Sequence, residues 1–97
     1  MGHIFDDEGV KLLVKAFMTL ENEEECKAFL EDIMTTKEIL DISQRVVVAK
    51  MLSEKAVYNK IAEETGASTA TISRVNRSYS YGTGSYKIVL ERLDKKN

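Results

Sequence analysis

Apolar residues recur along this chain at the spacing of an α-helix rather than that of a strand. In the first segment they fall at i, i+3, i+4, i+7 and i+8, which predicts an amphipathic helix over about residues 6–20. A second helix of the same spacing follows Asn22, which forms a capping box with Glu25. A third and longer helix opens at another capping box, Thr35–Glu38, and its pattern breaks near residues 53–55.

Three shorter helices are predicted in the second half of the chain, over about residues 57–64, 68–78 and 86–93. Thr65-Gly66-Ala67 joins the first two, and residues 79–85 have the composition of a turn. No stretch alternates as a strand does, and proline is absent, so the sequence predicts an all-α fold of six helices. The expected organisation is a single domain over residues 1–97, with dimerisation helices in 1–55, a helix-turn-helix in 56–78 and a C-terminal helix in 85–94.

The first two predicted helices each carry a wide apolar stripe of five residues. A chain of only 97 residues buries a limited share of its surface, so it has little interior in which to bury both stripes. Packing against a second copy would cover these stripes, so a homodimer is predicted. Packing within one chain is the alternative.

Composition excludes several classes of protein. The single cysteine, Cys26, excludes an internal disulfide framework and a multi-cysteine zinc site. The single histidine, His3, near the start of the chain, argues against a histidine-based active site. No group of side chains forms a catalytic constellation, so no enzyme activity, metal or cofactor is predicted. No segment approaches the length of a membrane span, and residues 1–8 lack the features of a secretion signal. The predicted location is therefore cytoplasmic, away from any membrane.

The net charge of −2 conceals an asymmetry. Residues 1–44 carry eleven acids and four bases, whereas residues 45–97 carry five acids and ten bases. Between Ala67 and Leu90 there is no acid, while Arg74, Arg77 and Lys87 are present. This distribution favours a polyanionic partner for the second half. Chance segregation of solvated helix faces is the alternative.

The segment from Tyr58 to Arg77 has the pattern of a helix-turn-helix. Ile61 and Ala62 lie where the first helix approaches the second, and Gly66 lies at the turn, where a positive φ is needed. Ile72 and Val75 form the apolar underside of the second helix. The remaining side chains of that helix are short hydrogen-bonding groups and arginines, which suit a helix lying in the major groove of DNA.

Nine residues are candidate DNA contacts. Short side chains expected at the groove are Ser68, Thr69, Ala70, Thr71 and Ser73, and side chains expected on phosphates or base edges are Asn59, Lys60, Arg74 and Arg77. A tight helical hairpin that never meets DNA is the alternative interpretation of the same pattern.

Three motifs resemble the tryptophan repressor superfamily, and most closely its small bacterial branch of YerC/YecD-like proteins. They are Met34-Thr35-Thr36-Lys37-Glu38, Ser43-Gln44-Arg45-Val46 and Thr65-Gly66-Ala67-Ser68-Thr69-Ala70-Thr71-Ile72-Ser73-Arg74. The resemblance implies an intertwined homodimer that presents its second helix-turn-helix helices to successive major grooves. The half-sites would lie about 34–36 Å apart in a pseudo-palindromic operator.

The resemblance also implies a possible effector pocket. In the namesake repressor two arginines hold an indole ring, and their positions correspond to Arg45 and Arg74, with Thr35 nearby. Tryptophan-binding members have glycine after the second arginine, where this chain has Val75. A branched side chain there should obstruct the flat ring. Binding of DNA without L-tryptophan, or with another small ligand, is therefore the expectation.

Two functions follow from these patterns. The first is a sequence-specific DNA-binding transcriptional regulator, expected to act as a repressor and as a dimer on double-stranded DNA. The second is a helical protein–protein interaction module that has lost DNA readout. The acidic first half and the negative net charge would fit the second.

Overall fold

The computed structural model describes residues 2–96, which are helical almost throughout. A 3₁₀ helix, Gly2–Asp6, precedes six α-helices: α1 Glu8–Met18, α2 Glu23–Ile33, α3 Thr36–Ser53, α4 Tyr58–Thr65, α5 Thr69–Tyr81 and α6 Ser85–Lys96. No strand occurs within residues 2–96, and the predicted six-helix, all-α fold is confirmed. The chain divides into two compact units, residues 1–36 and residues 37–97.

The first unit is built from capped amphipathic helices. The Asp7 carboxylate accepts a hydrogen bond from the Val10 N–H at 3.0 Å, so α1 begins two residues later than the apolar spacing predicted. At the start of α2, the Asn22 Oδ1 accepts from the Glu25 N–H at 2.9 Å. The Glu25 carboxylate in turn accepts from the Glu21 N–H at 3.0 Å, one residue before the position that a capping box normally satisfies.

Aromatic packing joins α1 to α2. The rings of Phe17 and Phe29 meet edge to face, with centroids 5.3 Å apart. Even so, neither α1 nor α2 contains a buried residue. The apolar stripe of α1 is mostly exposed in the single chain, whereas that of α2 is mostly half-buried.

The hydrophobic core lies in the second unit. Its fully buried side chains come from three successive helices: Val48 and Ala49 from α3, Ile61 from α4, and Ile72 from α5. Ala67, Val75 and Leu90 complete the buried cluster. Every helix of this unit therefore contributes to one core, and that core fixes the position of α4 relative to α5.

The second half of α5 differs from the prediction. The helix continues through Tyr81, whereas residues 79–81 were predicted to belong to a turn. Tyr79 packs against the core, so the apolar stripe of Ile72 and Val75 runs on at helical spacing. Gly82 then ends the helix, and its N–H donates to the Ser78 carbonyl at 2.9 Å. The packing of Tyr79 against the core therefore keeps residues 79–81 helical, although their composition is typical of a turn.

Candidate nucleic-acid interface

The turn between α4 and α5 is a left-handed glycine turn. Gly66 has φ +73°, and its N–H donates to the Ala62 carbonyl at 2.9 Å. A Cβ at this position would meet no atom within 4 Å, so glycine is required here by backbone conformation and not by space. The predicted positive φ at Gly66 is confirmed.

Hydrogen bonds from Thr65 and Gln44 hold this turn. The Thr65 hydroxyl donates to the Ile61 carbonyl at 2.7 Å and accepts from the Ala67 N–H at 3.1 Å. The Gln44 side-chain amide, on α3, donates to the Thr65 carbonyl at 3.0 Å. These contacts tie the turn both to its own helix and to α3. Sequence reasoning missed the part played by Gln44, because no local pattern links two residues so far apart in the chain.

Apolar anchors hold α5 against the core. Ile61 and Ile72 are fully buried, and Val75 is 2% exposed. Ile61 was predicted to face the second helix, and Ile72 and Val75 to form the apolar underside of that helix. The structure places all three in the same core cluster. One side of α5 is thereby fixed inward, so the opposite side must face outward.

The outward side of α5 carries the predicted groove and phosphate residues. Ala70, Arg74 and Arg77 follow one another at i, i+4 and i+7, so they form a single exposed stripe. Ser73 is exposed beside this stripe, and Thr69 is exposed at its edge. Asn59 and Lys60 are exposed on the first turn of α4.

Two of the candidate residues also have a structural role. The Ser68 hydroxyl accepts from the Thr71 N–H and donates to the Thr71 Oγ1, both at 3.1 Å. Ser68 is exposed and serves as the N-cap of α5, while Thr71 is half-buried. Their hydroxyls are partly committed to the helix start, whereas those of Thr69 and Ser73 are not.

The electrostatics of this surface suit a polyanion. No acid occurs in α5 or in the turns on either side of it. Within residues 2–96, no carboxylate pairs with Arg74 or Arg77. Both guanidinium groups are exposed and available for phosphate or base edges.

The four residues of the possible effector pocket are distributed over both units. Arg45 on α3 and Arg74 on α5 are exposed, and both belong to the second unit. Thr35 is exposed in the first unit. Val75 is packed into the core of the second unit, so its side chain fills space between helices of this chain. Among the described residues, no group of histidine, cysteine and carboxylate side chains could hold a metal ion.

Two amphipathic helices, the left-handed glycine turn that joins them and an acid-free outward face on the second helix together define a helix-turn-helix protein. Comparison with known proteins makes the class specific. The model of the family described as Trp repressor protein matches residues 8–94, and this chain belongs to that family. The family is one of regulators and not of enzymes. In residues 2–96, no helix is long and apolar enough to cross a membrane.

Individual relatives agree with this membership and with the predicted resemblance. The chain is 47% identical over 81 residues to the uncharacterized protein YerC of Bacillus subtilis, covering 84% of this chain and 78% of that protein. A TrpR-like protein from Eubacterium eligens, whose crystal structure is known, is 50% identical in sequence to this chain. The two structures have a TM-score of 0.90, and the match covers 95% of each chain. A candidate Trp repressor from Staphylococcus aureus is 45% identical, with a TM-score of 0.85 over 91% of this chain and 88% of its own.

Proposed function

We propose that this protein is a sequence-specific transcriptional regulator that binds a pseudo-palindromic operator in double-stranded DNA as a homodimer. Repression is the proposed mode, because a dimer seated on an operator blocks other proteins from the same DNA. The proposed location is the cytoplasm, the compartment of a bacterial cell that holds the chromosome.

One observation carries the proposal: the outward stripe of α5 is basic, acid-free and rigidly held. Ala70 lets the helix approach the groove, since its side chain is short. Arg74 and Arg77 supply cations that no carboxylate in residues 2–96 engages. Because Ile72 and Val75 fix the opposite side in the core, the stripe is presented without a large ordering cost on binding.

The apolar surface of the first unit supports a homodimer. Four residues of the apolar stripe of α1 are exposed in the single chain: Leu13, Val14, Phe17 and Met18. Their exposed fractions run from 37% to 80%. Full burial of an exposed side chain of this kind stabilises by about 1.5–3 kcal/mol, so burial of the remaining exposed parts can together hold an assembly. A second copy of the chain is the partner that we propose for this surface.

The long helix α3 supports the same conclusion. Leu40, Ile42, Val46 and Val47 are exposed, while Val48 and Ala49 on the same helix are in the core. The helix is therefore apolar on several sides, and a helix of that kind is normally buried on several sides. A dimer with interlaced α3 helices would bury the sides that the single chain leaves open.

We further propose that DNA binding does not require L-tryptophan. Arg45 and Arg74 are present, but the residue after Arg74 is the core valine Val75. Removing that side chain to admit a flat ring would cost core packing. A different small effector is compatible with the two arginines.

The test is a selection of bound duplexes from a random pool, using purified protein at moderate salt with and without L-tryptophan. Enrichment of a two-fold motif in both arms supports a dimeric regulator that needs no tryptophan. Enrichment only with tryptophan would contradict the proposal about Val75. No enrichment in either arm would contradict DNA readout and favour the interaction module.

The substitution Thr69→Asp distinguishes the proposed DNA-binding regulator from the alternative, a protein–protein interaction module. Thr69 is exposed at the start of α5, where an acid is compatible with the helix dipole. The added charge should abolish DNA binding while the fold survives. A protein partner bound by the acidic first unit would be unaffected by the substitution.

A further inference from the structure

The exposed stripe of α5 is longer than the helix-turn-helix motif requires. Arg74 and Arg77 are followed, one further turn along, by Tyr81 at i+7 and i+4. Tyr81 is 87% exposed. The helix therefore presents an aromatic side chain with a polar tip on the same side as its two arginines.

Gly82 fixes where the stripe ends. Its N–H donates to the Ser78 carbonyl at 2.9 Å, and a Cβ at this position would collide with that same carbonyl oxygen. No other residue fits without displacing the backbone. Tyr81 is consequently the last residue of the helix.

Tyr79 anchors the same turn from the opposite side. Its ring packs against the core, and the Lys87 ammonium lies 5.3 Å from the ring centroid. With Tyr79 turned inward, Tyr81 is turned outward. The last turn of α5 is thus part of the rigid unit and not a loosely attached end.

The length of the stripe decides what Tyr81 can reach. From Ala70 to Tyr81 the helix rises about 16 Å, whereas the major groove of B-DNA is about 12 Å wide. In helix-turn-helix proteins the N-terminal residues of the recognition helix contact base edges. If Ala70 lies at the base edges, the Tyr81 end of the helix lies beyond the groove, at a sugar–phosphate backbone.

We propose that Tyr81 is a further DNA-contacting residue, whose phenol O–H donates a hydrogen bond to a backbone phosphate at the edge of each half-site. The inference rests on the proposed function. Tyrosine is among the side chains that bind phosphate oxygens, and no acid between Ala67 and Leu90 would repel the backbone. The contact adds affinity in a way that the arginines do not, because it neutralises no phosphate charge.

The test compares Tyr81→Phe with the wild-type dimer on a duplex enriched by the selection described above. Binding is measured by fluorescence anisotropy over a range of salt concentrations. Loss of one hydrogen bond should weaken binding about threefold to tenfold for each half-site. The slope of log affinity against log salt should stay unchanged, since the phenol is neutral. Arg77→Ala should instead reduce that slope by about one for each half-site.

Tyr86→Phe is the matched control, because Tyr86 is a half-buried tyrosine of α6 that packs against the core. It should bind as the wild type does. Phosphate-ethylation interference gives an independent readout. One phosphate at the edge of each half-site should be sensitive to ethylation in the wild type and insensitive in Tyr81→Phe.

The outcomes separate this inference from the proposed function. Wild-type affinity and unchanged interference in Tyr81→Phe would overturn the Tyr81 contact and leave the regulator standing. A reduced salt slope in Tyr81→Phe would also overturn it, because the residue would then act through the arginines. Failure of the wild type to select any duplex would overturn both.

Discussion

Ser68 caps α5 through Thr71, because its hydroxyl accepts from the Thr71 N–H and donates to the Thr71 Oγ1, each at 3.1 Å. The same hydroxyl lies on the exposed end of the helix that we propose enters the major groove. Ser68 is therefore expected to affect both the stability of the fold and the affinity for DNA, and different substitutions at this position can separate the two effects.

Ser68→Ala should lower the free energy of unfolding by about 1 kcal/mol, since the N–H of Thr71 loses its cap. Ser68→Asp should restore the cap, because aspartate is a good N-cap and favours the positive end of the helix dipole. Its carboxylate should at the same time repel DNA phosphates. Urea unfolding and anisotropy on a selected duplex, both at one chain concentration, measure the two effects.

Ser73→Ala is the control for Ser68, because Ser73 is exposed on the same helix beyond its first turn. It should change stability by less than about 0.5 kcal/mol. Ser68→Asp that binds DNA as tightly as the wild type would exclude the start of α5 from the interface.

Gly66→Ala should destabilise the protein by about 1–2 kcal/mol although the site has room for a methyl group. The cost arises from φ +73°, which an L-residue with a Cβ rarely adopts. Gly66→Asn should cost less, because asparagine tolerates the left-handed conformation. Thermal or urea unfolding of the two variants checks the order. Equal destabilisation by alanine and asparagine would show that something other than backbone conformation requires glycine.

The helix-turn-helix could be predicted from the sequence because its signals are local. Gly66 marks a positive φ, and Ile72 and Val75 recur at helical spacing within α5, so both the turn and the inward side of α5 follow from the pattern. The end of α5 could not be predicted as easily. Turn composition in residues 79–85 competed with the helical spacing of Tyr79, and packing of that ring against the core decided between them.

The candidate site shows the same division between local and distant contacts. Exposure of Arg74 and Arg77 follows from the helix period once the buried side is known. The bond from Gln44 to the Thr65 carbonyl depends on how α3 approaches the turn. The outward position of Tyr81 depends on where the helix ends. Neither relationship has a signature in a short stretch of sequence.

Arg77→Ala should weaken DNA binding and reduce the slope of log affinity against log salt by about one for each half-site, while the proposed homodimer survives. Arg77 is exposed and pairs with no carboxylate in residues 2–96, so the substitution removes no ion pair within those residues. Lys95→Ala is a suitable control, since Lys95 is an exposed cation on α6 that pairs with Glu91 at 3.1 Å. Affinity measured at several salt concentrations compares them. An equal loss in both variants would indicate that only total charge matters.

Met18→Glu should convert the proposed homodimer to monomers. Met18 lies in the apolar stripe of α1 and is 80% exposed in the single chain, so a glutamate there meets no steric obstacle until a second copy packs against it. Burial of an unpaired carboxylate in the interface would then cost several kcal/mol. Lys15→Glu adds the same acid to the same helix and should leave the dimer intact, because Lys15 is outside the apolar stripe. Sedimentation analysis measures the mass, and a dimeric Met18→Glu would exclude this side of α1 from the interface.

L-tryptophan should leave both the affinity and the sequence preference for DNA unchanged. Val75 is 2% exposed, and its side chain occupies the core where glycine would leave space. Val75→Ala should cost about 2 kcal/mol of stability through lost burial and the cavity that remains. Calorimetric titration with L-tryptophan tests the wild type and Val75→Ala side by side. Binding to the wild type that disappears in Arg45→Ala would show that the pocket forms with the valine in place, and that the obstruction argument is wrong.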